Sequence, residues 1–206
     1  MAKKQLSQKK LITMVETALL GAIIVVMAFT PLGYLRTATG LEITFIMIPV
    51  VIGAATVGPS AGAILGGVFG ITSFIQCFGM SAFGSTLMGI NPVLTFLVCV
   101  PTRILAGFIS GLVFKAIGKK GKEKLGATAA SLAGPLLNTF FFMSSLILCF
   151  GKTEYILGIK EAMGATNVLS FVALFVGLQG VIEAAVCFVA GSAVSMALLK
   201  SVKKYK

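Results

Sequence analysis

Two ionisable side chains sit deep inside apolar sequence: Arg103, in VPTRILAGF, and Glu183, in GVIEAAV. A charge carried into hydrocarbon is costly, so residues of this kind mark ligand sites, ion paths or buried pairs. Two amides belong with them, Asn138 and Gln179, the latter one helical turn from Glu183 on the same face. At ~1.5 Å per residue, Arg103 lies roughly 16 Å, Asn138 roughly 18 Å and Glu183 roughly 24 Å from the outer ends of the helices predicted below. Side chains from three helices thus reach neighbouring depths. One reading pairs Arg103 with Glu183 and ties two helices together. The other has Arg103, Asn138 and Gln179 lining a pocket open to the outside, with Glu183 beside them. A planar guanidinium there suits a carboxylate, and the amides suit amide or hydroxyl groups. Asn91, ahead of Pro92, is a candidate for the rim of that pocket, whereas Asn167 reads as a helix N-cap. Glu16, one turn into its helix, reaches the interface and carries little weight.

The elements that must hold these groups are membrane helices. Of the 206 residues, 57% are hydrophobic and 11% charged, against about a quarter charged in a soluble domain. Apolar runs predict a single all-α transmembrane domain over residues 1–206. Its six helices span Leu11–Thr30, Leu41–Gly58, Ala61–Phe78, Pro92–Ile117, Leu125–Phe150 and Asn167–Leu199. Gly58-Pro59-Ser60 turns the second into the third. The sixth is longer than a bilayer needs, so it is tilted, broken or extended into water.

Lysines set the orientation. They cluster before the first helix (Lys3 to Lys10), around the connection between the fourth and fifth (Lys115 to Lys124), and after the sixth (Lys200 to Lys206). The positive-inside rule then puts both termini in the cytoplasm. The net charge of +11 reports topology and contact with anionic lipid in the plasma membrane, not nucleic acid. The basic start leads into a run too long for a signal-peptide core and without an A-x-A-like site, so no cleavable signal is expected. GMSAFGSTLMGIN, between the third and fourth helices, is uncharged and glycine-rich, and reads as a flexible lid or a plain connector.

The chain has no His, no Asp, no Walker A sequence and no metal-ligand cluster, so it reads as neither enzyme nor cofactor carrier, and any ATP-driven step belongs to a partner. Cys77, Cys99, Cys149 and Cys187 lack C-x-x-C spacing and read as small packing residues. Small residues recur four apart: Gly62, Gly66 and Gly70; Gly107 and Gly111; Ala18 and Ala22. Such stripes let helix backbones approach closely in lipid.

In order and spacing, these features resemble the substrate-binding S components of energy-coupling-factor (ECF) vitamin transporters. The segment IMIPVVIGAATVGPSAGAILGGVFGITSF (Ile46–Phe74) carries most of the likeness. VPTRILAGFISGLVFK (Val100–Lys115), Asn138-Thr139 and Gly180-Val181-Ile182-Glu183-Ala184 support it. The resemblance implies a six-helix subunit that captures a vitamin outside. A shared transmembrane coupling subunit and two cytoplasmic ATPases would then power release inside. It also implies that Ala18 and Ala22 contact the coupling subunit. Among S components the chain looks most like those for pantothenate, whose carboxylate, amide and two hydroxyls Arg103, Asn138 and Gln179 would satisfy. Folate, cobalamin and riboflavin S components share much of the framework and are the alternatives within the class. Outside it, the competing readings are a proton- or cation-coupled secondary transporter built on Glu183 and a purely structural assembly subunit. No inverted repeat supports the transporter reading.

Overall fold

Prolines, glycines and caps set the breaks along this chain. The computed structural model describes residues 2–31, 33–36, 42–119 and 121–204; Leu41, Lys120 and Lys206, which enter the reading above, lie outside them. The helices are α1 (Ala2–Ala28), α2 (Met47–Thr56), α3 (Pro59–Gln76), α4 (Ala82–Ile90), α5 (Pro92–Ile117), α6 (Glu123–Phe150), α7 (Glu154–Ala162), α8 (Val168–Val186) and α9 (Ser192–Lys204). A π-helical stretch, Cys187–Gly191, joins the last two, and a small hairpin of β1 (Tyr34–Arg36) and β2 (Glu42–Thr44) separates the first two. Pro59 and Pro92 open their helices, where a missing N–H costs nothing. Among the described residues, five stretches are long and apolar enough to cross a membrane: Lys10–Ala28, Pro59–Gln76, Pro92–Ile117, Glu123–Phe150 and Gln179–Lys200.

Two features differ from the sequence reading, and a third selects one of its alternatives for the last helix. The helix expected over Leu41–Gly58 is confined to Met47–Thr56, because Glu42–Thr44 pairs antiparallel with Tyr34–Arg36, Leu35 opposite Ile43. Ten residues rise only about 15 Å, half the hydrocarbon thickness. Pro49 explains the late start: in a longer helix its ring would meet the carbonyl of Phe45. The connectors on either side of the fourth and fifth predicted helices each hold a short helix. Ser81 Oγ caps α4 by accepting the Gly84 N–H (3.3 Å), and Thr153 Oγ1 caps α7 by accepting that of Ile156 (3.4 Å). Finally, the long last helix is broken. Gly177 has φ 28° and ψ −125°, a backbone that side-chain-bearing residues rarely adopt.

The closest packing joins α3 to α5. A Cβ on Gly62 would strike the carbonyl of Gly107, one on Gly66 the carbonyl of Arg103, and one on Gly70 would lie 2.7 Å from Val100 Cα. The glycine stripe therefore seats α5 backbone-to-backbone on α3 and fixes where Arg103 starts. One apolar cluster, including Ile24, Val50, Leu65 and Phe69, binds α1, α2, α3 and α5 together. A second, including Leu87, Met143, Phe150, Ile156 and Phe175, packs α4, α6, α7 and the N-terminal part of α8. Large apolar side chains also cover the outside, with Leu148 85% and Leu169 81% exposed. A surface of that kind needs lipid to cover it.

Gly66→Ala is expected to cost about 1–3 kcal/mol through overpacking against the α5 backbone. Gly67→Ala is the control, since its Cβ would meet the Ile104 side chain at an ordinary 3.6 Å. Thermal unfolding of the two variants in detergent micelles distinguishes them.

Candidate functional site

A cavity of about 140 Å³ lies where the apolar clusters meet, room for on the order of ten waters. Arg103 of α5, Asn138 of α6, and Gln179 and Glu183 of α8 all line it. The side chain of Arg103 leans toward the start of its own helix, as helical side chains do. There its Nη1 donates to the carbonyls of Val98 (3.0 Å) and Cys99 (3.1 Å) and to Thr102 Oγ1 (3.4 Å). The guanidinium carbon sits 5.1 Å from the ring centre of Phe69 and 5.2 Å from that of Phe142. Two aromatic faces and three oxygens thus hold a cation that is only 8% exposed. Its Nε stays buried without a hydrogen-bond partner among the described residues, as does Asn138 Oδ1. A buried unsatisfied polar atom costs about 1–3 kcal/mol. A ligand that brings an acceptor to Arg103 and a donor to Asn138 would relieve both.

Glu183 has a different attachment. Its Oε1 accepts the backbone N–H of Thr44 at 2.7 Å, a contact across 139 residues of sequence. Gln179, one turn away, also hydrogen-bonds to it. Among the described residues no ion pair joins Glu183 to Arg103, and each has its own set of partners. The carboxylate therefore moors the β1–β2 hairpin to α8, and Thr44 becomes part of the cavity wall.

Asn91 is placed elsewhere. It caps α5, its Oδ1 accepting the N–H groups of Val93 (3.0 Å) and Leu94 (3.1 Å), and it does not line the cavity. Ala18 and Ala22 are exposed on α1 and, with Gly21, face an open groove between α1 and α3 that Ser60 and Ile64 also line. They are not internal packing residues of this chain. Sequence reasoning passed over the aromatic clamp, although a signal existed. Phe142 follows Asn138 by one turn, and Phe69 lies on the same face as Gly62 and Gly66. Thr44 carries no local signal, since only the fold brings it to Glu183.

The rest of the lining combines polar side chains (Ser73, Gln76, Ser81 and Thr139) with an apolar wall. Phe83 of α4 packs at 5.6 Å from Phe175 of α8, and Leu87, Val98 and Met143 continue that wall. One end thus offers a cation and amides, the other hydrocarbon and aromatic surface. This is a helical protein with segments apolar enough to cross a membrane and an internal cavity with charged, amide and apolar walls. Residues 12–194 match the family model for the ECF transporter, substrate-specific component, and the chain belongs to that family. It is 33% identical over 148 residues to the pantothenic acid transporter PanT of Lactococcus lactis subsp. cremoris (strain MG1363), an alignment covering 65% of this chain and 71% of that protein. The chain is accordingly a multi-pass plasma-membrane transport subunit. Membership implies, in general terms, a vitamin as solute and an ECF module as partner.

Glu183→Ala is expected to accelerate exchange of the Thr44 amide at least about tenfold, matching loss of a hydrogen bond to a charged group. Glu183→Gln keeps an acceptor oxygen and most of the protection. Hydrogen–deuterium exchange mass spectrometry in nanodiscs reads both.

Proposed function

We propose that this chain binds pantothenate from the outside as the S component of an ATP-driven ECF transporter. The observation that carries the substrate is the clamped Arg103 guanidinium with its unpartnered Nε, in the same cavity wall as Asn138 with its unpartnered Oδ1. Pantothenate brings a carboxylate for the first. Its amide N–H and hydroxyls suit the second and Gln179, and its methyl groups suit the Phe83–Leu87–Phe175 wall. The 33% identity to a pantothenic acid transporter supports the same solute.

Orientation follows from where the cavity lies in each helix. Its lining comes from the C-terminal halves of α3 and α6 and the N-terminal half of α5. The lysines gather at the opposite ends, around Lys10, Lys115, Lys124 and Lys200. With the positive-inside rule, this supports cytoplasmic termini, a cavity facing out, and six passes in which the short α2 makes one. Energy then comes from a shared transmembrane coupling subunit and two cytoplasmic ATPases. The exposed Ala18–Ala22 groove, lined by small residues on α1, suits the close approach of a helix of that subunit.

Two experiments test this reading. Purified protein is expected to bind pantothenate tightly in calorimetry, and Arg103→Ala to weaken binding more than about tenfold while the fold persists. Preferential binding of folate, riboflavin or cobalamin would overturn the substrate. Separately, Ala18→Trp or Ala22→Trp is expected to abolish co-purification with the coupling subunit and uptake in cells, yet leave pantothenate affinity unchanged. Normal uptake by both variants would remove the groove from the mechanism.

A further inference from the structure

Cys77 and Cys99 stand 22 residues apart in sequence, and the fold brings their sulfurs to 3.9 Å. Cys77 caps the end of α3, and Cys99 lies about two turns into α5, so the pair spans the helix–helix contact that the glycines create. Both side chains line the cavity, and neither is in a disulfide. Cys77 Sγ also donates to the carbonyl of Ser73 at 3.3 Å, and the apolar neighbours of the pair include Phe74, Met88 and Ile104. Among the described residues, no such sulfur contact involves Cys149 or Cys187.

We propose that Cys77 and Cys99 are an oxidisable dithiol, converted to a cystine link between α3 and α5 by a small disulfide that enters the cavity. One cysteine, as its thiolate, attacks a sulfur of the reagent RS–SR, forming a mixed disulfide and expelling RS⁻. The other thiolate attacks the protein sulfur of that mixed disulfide and expels the second RS⁻. The two thiol protons end on the two released thiolates. The protein loses two hydrogens with two electrons, and the reagent is reduced to two thiols. The sulfurs close from 3.9 Å to about 2.05 Å, a movement that side-chain rotation and a small helix shift can supply.

That movement does not stay local. Cys77 Sγ lies against Gly84, where a Cβ would stand 2.6 Å from it, so a shift of the sulfur reaches α4 and its cavity-lining Phe83 and Leu87. On the other side, the carbonyl of Cys99 accepts Arg103 Nη1 at 3.1 Å. Drawing Cys99 toward α3 therefore disturbs the anchor of the guanidinium. The oxidised form holds a distorted cavity and binds its anionic solute less well.

The test treats the full-length protein in nanodiscs with dipyridyl disulfide. Intact mass is expected to fall by two hydrogens at this pair, with no pyridylthio group retained there. Peptide mapping should recover the Cys77 and Cys99 peptides linked, and dithiothreitol should separate them. Cys77→Ser and Cys99→Ser should each keep one pyridylthio adduct on the remaining thiol. Separate adducts on both cysteines of the wild type, or no reaction at either, overturn the proposal without reliance on any variant. Binding of radiolabelled pantothenate, which rests on the preceding assignment, should weaken about tenfold on oxidation, as for the loss of one charge-assisted hydrogen bond, and recover on reduction. Unchanged affinity in the cross-linked protein would overturn the coupling to Arg103. Failure of the reduced protein to bind pantothenate counts against the solute and leaves the peptide map to decide the dithiol.

Discussion

The seat of α5 on α3 is the constraint on which the rest of this molecule depends. Inside a bilayer, lipid tails are as apolar as leucine, so helices gain little by hiding hydrocarbon from one another and must associate through close packing and polar contacts. Gly62, Gly66, Gly70 and Gly107 supply the closeness by leaving no Cβ between the two backbones. The consequence for function is positional. Gly66 abuts the carbonyl of Arg103, so the helix contact and the root of the guanidinium are the same few atoms. Phe69, three residues on, then meets that guanidinium from α3.

This arrangement lets a charge be buried without a counter-charge in contact. A cation in hydrocarbon needs many weak partners or one strong one. Arg103 takes the first course, with two ring faces, two carbonyls of its own helix and a threonine hydroxyl. A direct salt bridge with Glu183 would have consumed the group that suits an anion. Glu183 is instead occupied by Thr44 and Gln179, and so ties the end of β2 to α8. Two ionisable groups of opposite sign thus line one cavity with separate attachments, Arg103 to rings and oxygens of α3, α5 and α6 and Glu183 to Thr44 and Gln179. The Cys77–Cys99 pair lies along the same α3–α5 seam, which is why a change in either sulfur reaches the Arg103 anchor and α4.

Much of this was legible in the chain. Hydropathy gave apolar helices, and the breaks at Pro59 and Pro92 follow from proline chemistry. Depth arithmetic brought Arg103, Asn138, Gln179 and Glu183 to neighbouring levels, and they line one cavity. Other features needed a finer reading of signals that were present. Pro49 forbids the early start assigned to the second helix, and Ser81 and Thr153 are capping residues inside stretches read as loops. Asn91 stands beside Pro92 at the start of α5, where capping of the free N–H groups is the stronger claim on an asparagine than a place on a pocket rim.

By itself the sequence determined the quantities that depend on composition and local spacing: a membrane environment, which segments are helical, which residues are small, and which few carry charge. Only the tertiary structure decided who touches whom. Glu183 and Thr44 are 139 residues apart, and Cys77 and Cys99 are 22. Arg103 has ring partners from two different helices, α3 and α6. No periodicity encodes such contacts, because they depend on how far one helix is rotated and shifted against another. In this protein those relations are set by the missing side chains of glycines, and their effect appears only when two helices meet.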